Sequence, residues 1–254
     1  MLSPEALVTR SPPRAARSVT MVPRPSVGRV YETSRSVRVA DADPTGRLRL
    51  DAVARFVQDV GNDDVADAGL DPTIPWVVRR SEVAVVGWPR LGERLAVATW
   101  CGGTGSRWAE RRVSFEGASG RIDVATLVVH LDRSGRPAKL PEWFDTVYAE
   151  AALGRTLTTR LVLPGPPDDA SGRPWPVRST DLDVMGHVNN AITWAAIEDE
   201  CDRRGGAPIG ATVEWIGALE GTDDIEVRSA GDGIWLEADG VVRVAAEVRP
   251  AGGS

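Results

Sequence analysis

The chain has 254 residues, enough for one large domain or two of ordinary size, and a formal net charge of -6. That charge gives no broad basic field, so neither nucleic acid nor an anionic membrane is expected as a partner. No apolar run approaches the roughly 20 residues that cross a bilayer, and the two cysteines, Cys101 and Cys201, have neither zinc-site spacing nor disulfide density. A reducing cytoplasm fits, and no metal or cofactor is expected.

Residues 1–28 are rich in Pro, Arg and Ser, carry one acid, Glu5, and show no period of 2 or 3.6. They predict a disordered tail outside the fold, with a transit peptide or a true start at Met21 as the alternatives. A strand, YETSRSVRV, then enters the segment DADPTGRL at 41–48. Helical spacing of Val53, Phe56, Val57 and Val60 follows, and Gly69 suits the stop. Strand patterns come next at 76–89, 94–100, 108–117 and 121–132, bounded by Gly, Pro and Ser turns.

A Pro/Gly-rich crossing covers 153–171, after which the order repeats. The strand PWPVRST enters DLDVMGHV at 181–188. A helix follows with Ile192, Ala195, Ala196 and Ile197 on one stripe, ended by Gly205-Gly206, and strands are expected within 211–219, 225–231, 233–238 and 241–249. The two segments share D-x-D-x-x-G-basic-aliphatic at an offset of 140, pairing Asp41, Asp43, Gly46 and Arg47 with Asp181, Asp183, Gly186 and His187. Each half therefore reads as α+β, an antiparallel sheet around one helix, with repeats at 29–152 and 172–254.

This arrangement, with D-x-x-G-H-V-N-N at the second helix start, resembles the hotdog fold. Two copies in one chain resemble the plant and bacterial acyl-acyl-carrier-protein thioesterases. The stretches WVVRRSEVAVVGWPRLGERLAVATWCGGTG (76–105) and LDRSGRPAKLPE (131–142) add to the resemblance in the first half. It implies a tandem double hotdog over about 29–254. It also implies hydrolysis of a fatty acyl thioester of acyl carrier protein to the free acid, in fatty acid biosynthesis and by a monomer or homodimer.

Thioester hydrolysis needs a base that delivers water and donors where charge grows on the carbonyl oxygen. Asp183 or His187 suits the first task. The N–H groups of Gly186 and His187, and the helix start after them, suit the second. The resemblance carries catalytic roles onto Asp183 and His187, with Gly186, Val188, Asn189 and Asn190 as the supporting loop. The family's asparagine falls on Met185, and its acid-cysteine pair on Ala218 and Leu219. A one-residue shift would instead bring in Glu220.

Asp181, Asn189 and Asn190 read first as helix caps, because Asp and Asn bond helix-start N–H groups well. Imidazole is a poor cap, so His187 reads as functional. Arg47 marks a copy that has lost its base, which leaves one active site per chain. His130 reads as structural, and the nine tryptophans as packing or acyl-tunnel wall. The arginines at 79, 80, 90, 107, 111 and 112 read as solvated faces or as a docking patch for carrier protein or coenzyme A phosphate. Two other functions stay open: an acyl-coenzyme A thioesterase using the same site, and an acyl-binding hotdog protein without catalysis.

Overall fold

The computed structural model describes residues 22–71 and 73–250. Of the expected tail, residues 1–21 lie outside the described residues. Ten strands run β1 (Val30–Ser36), β2 (Trp76–Val86), β3 (Arg94–Thr104), β4 (Trp108–Glu116), β5 (Arg121–His130), β6 (Ser171–Pro174), β7 (Pro208–Trp215), β8 (Ile225–Ala230), β9 (Gly233–Ala238) and β10 (Val241–Pro250). Three helical segments join them. These are α1 (Leu50–Asp67), α2 (Glu142–Phe144), which runs on through a π turn (Asp145–Ala149) and a 3-10 turn (Glu150–Ala152), and α3 (Asn190–Arg203).

All strands form one antiparallel sheet in the order β1-β3-β4-β5-β2-β7-β10-β9-β8-β6. The order is a palindrome under the repeat: β1 corresponds to β6, β3 to β8, β4 to β9, β5 to β10 and β2 to β7. The halves meet at the β2–β7 ladder, where Arg80 faces Glu214 and Val83 faces Ala211. The sheet carries both helices on its core face, giving the tandem hotdog. Among the described residues no helix is long and apolar enough to cross a membrane.

One predicted strand is displaced. PWPVRST was expected to enter the second motif, but the ladder stops at Pro174 and the motif is entered through a 3-10 turn, Ser179–Asp181. Pro174 and Pro176 carry no N–H, so a ladder cannot run through them. Residues 37–39 of the first predicted strand likewise leave the sheet, and Val39–Asp41 forms the matching 3-10 turn.

The core face of α1 is as its spacing predicts, with Val53, Phe56 and Val60 buried. The apolar stripe of α3 is too narrow a reading: Trp194, Glu198, Glu200 and Cys201 are buried beside Ala196 and Ile197. The cause is that α3 packs against α1 as well as the sheet. The crossing after the first half also lies close on the sheet, where the buried carboxylate of Glu214 accepts the N–H groups of Val162 (2.9 Å) and Leu163 (2.9 Å).

Two buried charge clusters hold the assembly. Arg47 reaches across the repeats to Glu198 on α3, Nη1 to Oε1 at 2.9 Å, while Glu198 Oε2 accepts the Leu50 N–H at 2.8 Å. In the first half, Asp64 is 1% exposed and accepts from Arg29 (2.8 Å) and Arg111 (2.7 Å). Gly28 presses on the Ala151 backbone so closely that no Cβ fits there. The last residues of the expected tail therefore touch the body of the protein.

Deleting 1–21 should leave the melting temperature unchanged. A chain starting at Val30 loses Arg29 and leaves half of a buried carboxylate unmet, which costs about 1–3 kcal/mol and lowers Tm by roughly 2–10 °C. Thermal melts of the two truncations check this.

Glu198→Ala should cost about 3 kcal/mol, since it strips a buried arginine of its main partner. Burial pushes the Glu198 carboxyl up to about 7 from 4.5, against the pull of Arg47 and the Leu50 N–H. A carboxyl raised in the folded state favours folding below pH 4.5, and that contribution is lost as pH rises through about 7. Glu198→Gln should therefore show a flatter stability curve across that window, read from denaturant midpoints at several pH values.

Candidate functional site

The second motif is a turn built on two aspartates. Asp181, 2% exposed, accepts the Arg178 N–H with Oδ2 at 2.8 Å, and its carbonyl accepts the Asn189 N–H at 2.9 Å. Asp183 Oδ1 accepts the N–H groups of Met185 (2.8 Å) and His187 (3.2 Å), and its carbonyl accepts that of Gly186 (3.0 Å). Gly186 sits at φ +83, where a Cβ would be strained. Val184 and Met185 stand exposed at the tip.

The strand-like end of this turn sets His187 opposite Glu220 in an isolated bridge, with Nε2 3.5 Å from Glu220 Oε1. Glu220, reached in sequence only by a one-residue shift, is thus the acid beside His187. Ala218 is exposed, and Leu219 is buried with its carbonyl accepting the Val188 N–H at 2.8 Å. Asp183 bonds the loop backbone, and His187 turns its ring to Glu220.

One sequence expectation is corrected here. The N–H groups of Gly186 and His187 are consumed inside the turn by Asp183, so they do not face a substrate. Val188 and Asn189 also have acceptors, and Asn189 caps α3 by taking the Ala191 N–H at 2.8 Å. Among the described residues nothing accepts the N–H of Asn190, the first residue of α3. It is the open donor at the positive end of the helix.

The first copy repeats the turn with a different outcome. Asp43 accepts the Arg47 N–H (3.0 Å), its carbonyl accepts that of Gly46 (2.9 Å), and Asp41 carries the Arg49 N–H (2.9 Å). Arg47 is 7% exposed, held by Asp43 and Glu198, with its guanidinium 4.8 Å from the Trp88 ring centre. The pair fills the space, and the helix-start N–H of Leu50 is taken by Glu198.

A cavity of about 190 Å³ runs inside the first repeat between α1 and the sheet, walled by Val57, Val65, Trp76, Trp100, Trp143 and Phe144 among others. A narrower space of about 40 Å³ shares Val57, Gln58, Val78 and Thr126 with it and continues to Asn190 at the start of α3. Outside, an open cleft of about 360 Å³ is lined by Gln58, Thr180, Leu182 and Asn189. Gln58 belongs to all three walls, and its Nε2 donates to Asn189 Oδ1 at 3.1 Å. His187 lies outside these walls. Neither Gln58 nor Glu198 stands out in the sequence, yet the offset of 140 pairs them with each other and would have drawn attention to both.

Other sequence candidates settle into place. Both thiols are buried, and burial pushes Cys101 up to about 11 and Cys201 up to about 12, so neither is a nucleophile at neutral pH. His130 bonds the Lys139 carbonyl at 2.7 Å. Of the arginines, Arg111 pairs with Asp64, Arg112 with Glu110 and Arg80 with Glu82, so these three do not form a free docking patch. Among the described residues no three His, Cys, Asp or Glu side chains cluster to hold a metal.

Residues 28–148 match the family described as "Acyl-ACP thioesterase N-terminal domain". An uncharacterised protein of Mycobacterium tuberculosis is 33% identical over 184 residues, 71% of this chain and 74% of that one. A solved structure from Lactobacillus plantarum, assigned as an oleoyl thioesterase, covers 90% of this chain and 99% of its own with a TM-score of 0.77 at 17% identity. The 12:0-ACP thioesterase of Umbellularia californica covers 87% and 96% with a TM-score of 0.70 at 19% identity. At those identities the two structures speak for the fold, and the matched segment and the duplicated turn complete the case: the chain belongs to the acyl-ACP thioesterase family.

Proposed function

We propose that this protein hydrolyses a fatty acyl thioester, carried by acyl carrier protein, to the free fatty acid. The observation that carries the reading is the apolar passage along α1, which opens at Asn190 beside the His187 loop. Its walls from Val57 to Val65 follow about 12 Å of helix at 1.5 Å per residue, a length that suits a medium acyl chain. An aromatic and aliphatic wall takes the chain out of water without asking for a polar partner.

In this reading the chain lies in the cavity and the thioester carbonyl rests at the start of α3. His187, with Nε2–H turned to Glu220, accepts a proton from water on Nδ1, and the water oxygen adds to the carbonyl carbon. The Asn190 N–H and the helix dipole stabilise the oxyanion. The tetrahedral centre then reforms the carbonyl and breaks the C–S bond. The departing thiolate takes the proton back from the imidazolium, leaving acid and free carrier thiol. Asp183 positions the loop through the N–H groups it binds, while Gly186, Val188 and Asn189 supply the turn and the cap. Glu220 beside His187 counts against an acyl-binding protein without catalysis, since it restores the acid that Ala218 and Leu219 lack. The free buried thiols suit a reducing cytoplasm.

Hydrolysis of a series of saturated acyl thioesters, on carrier protein and on coenzyme A, tests the reading and separates the two carriers. His187→Ala and Asp183→Asn should each lower kcat by about two to four orders of magnitude while leaving the melt near wild type. Asp181→Asn should lower stability by roughly 1 kcal/mol and leave turnover within a few-fold. Cys201→Ser should leave turnover within a few-fold, while the hydroxyl buried in the core costs about 1–3 kcal/mol of stability. A wild type that binds but does not turn over any of these thioesters would replace this reading with the acyl-binding one.

A further inference from the structure

We propose that Gln58, on the central helix of the first repeat, is a catalytic residue. Its side-chain amide holds the thioester carbonyl against the start of α3, in the place that Glu198 fills with a carboxylate in the silent copy. The inference rests on the hydrolase reading above and adds a residue from the opposite half of the chain.

Three observations converge on it. Gln58 lines the acyl cavity, the passage from it and the outer cleft, so a substrate bridging them passes this side chain. Its orientation is fixed by chemistry: Asn189 Oδ1 takes the Ala191 N–H at 2.8 Å and is therefore oxygen, so the Gln58 atom 3.1 Å away is the amide nitrogen. That nitrogen carries a second hydrogen, which remains for a substrate oxygen.

The silent copy supplies the third. The offset of 140 places Gln58 opposite Glu198 and Asn190 opposite Leu50. In the silent copy Glu198 sets a carboxyl oxygen 2.8 Å from the Leu50 N–H, which is the distance at which a tetrahedral oxyanion would sit. That copy thus carries its own occupant. In the other copy the equivalent N–H, of Asn190, has no acceptor among the described residues, and a neutral donor replaces the carboxylate. Glutamine leaves the oxyanion position open and adds a donor to it, whereas a glutamate there would occupy it and repel the developing charge.

The test is Gln58→Glu, an isosteric change that makes the active copy imitate the silent one. Turnover of dodecanoyl-coenzyme A and dodecanoyl-acyl carrier protein is measured from pH 5.5 to 8.5 (roughly the range over which such a carboxyl titrates), with thermal melts beside it. At the alkaline end kcat should fall about 100-fold or more with KM little changed, as for loss of an oxyanion donor. The ratio of variant to wild-type kcat should rise as pH falls and the new carboxyl takes a proton. Asp41, Arg55 and Asp59 on the cleft side, Glu110 and Arg111 on the cavity side, and His187 are common to both proteins, so their titration divides out of the ratio. Gln58→Leu should lose turnover at every pH with no recovery, and it carries the test through its kcat-against-KM split if the glutamate variant fails to fold. A folded Gln58→Glu that turns over like the wild type at pH 8.5 (about one unit above neutral pKa-shifted carboxyls), or whose loss is flat with pH, overturns this inference alone. A wild type silent on both thioesters removes the hydrolase reading, and this inference with it.

Discussion

Both helix starts depend on one interaction, a buried aspartate that binds the backbone N–H three residues before it. Asp41 does so for Arg38 and Asp181 for Arg178, at 2.9 and 2.8 Å. A carboxylate out of water needs several donors, and here each takes a turn N–H together with an arginine side chain, Arg55 for Asp41 and Arg178 for Asp181. Its carbonyl then takes the N–H eight residues on, from Arg49 or Asn189, which closes the loop and fixes where the helix begins. The residue two before that closure is thereby set opposite in face to the buried Leu48 or Val188, Arg47 reaching the buried Glu198 and His187 lying partly open beside Glu220. Without this clamp neither the His187 ring nor the open Asn190 N–H would have a defined position.

The same frame holds opposite contents in its two copies. One is filled by a guanidinium, two carboxylates and an indole ring. Such a cluster gains little net stability over an apolar packing but is costly to break, so it ties α3 to the first turn. The other copy keeps an imidazole 39% exposed, a glutamate at its edge, and a neutral amide where the carboxylate stood. A buried charge cluster and a partly open imidazole have been divided between two turns that share a backbone.

Much of the fold was legible, because the features that specify it are periodic or repeated. The D-x-D-x-x-G pair marks both turns, and Val53, Phe56 and Val60 mark the inner face of α1. The misreadings have physical causes. Proline at 174 and 176 ended a strand whose neighbours looked extended. On α3 a second packing surface buried Glu198 and Glu200, which no single-stripe reading allows. In the site, the turn's own hydrogen bonds were invisible in sequence, so the N–H groups of Gly186 and His187 looked open when Asp183 holds them. Gln58 was legible only as the partner of Glu198 at the offset of 140, and its contact with Asn189, across 131 residues, was not.

The division of labour extends to volume. Gly61 faces the acyl cavity from α1, and a Cβ built on it would already stand 3.5 Å from the Arg111 Nε. The offset puts Cys201 at the same point of α3, where its side chain is buried in the core. Val65, at the far end of the cavity, corresponds to Gly205, and α3 has already ended there, at 14 residues against 18 for α1. The second helix is therefore shorter and more filled on this face than the first, while the first turn is the more tightly paired of the two. In the proposed reading neither repeat holds a complete site. On that reading a chain bound in the first half reacts at the helix start of the second, so the β2–β7 ladder and the contact of α1 with α3 hold the proposed site together as much as the His187 turn does.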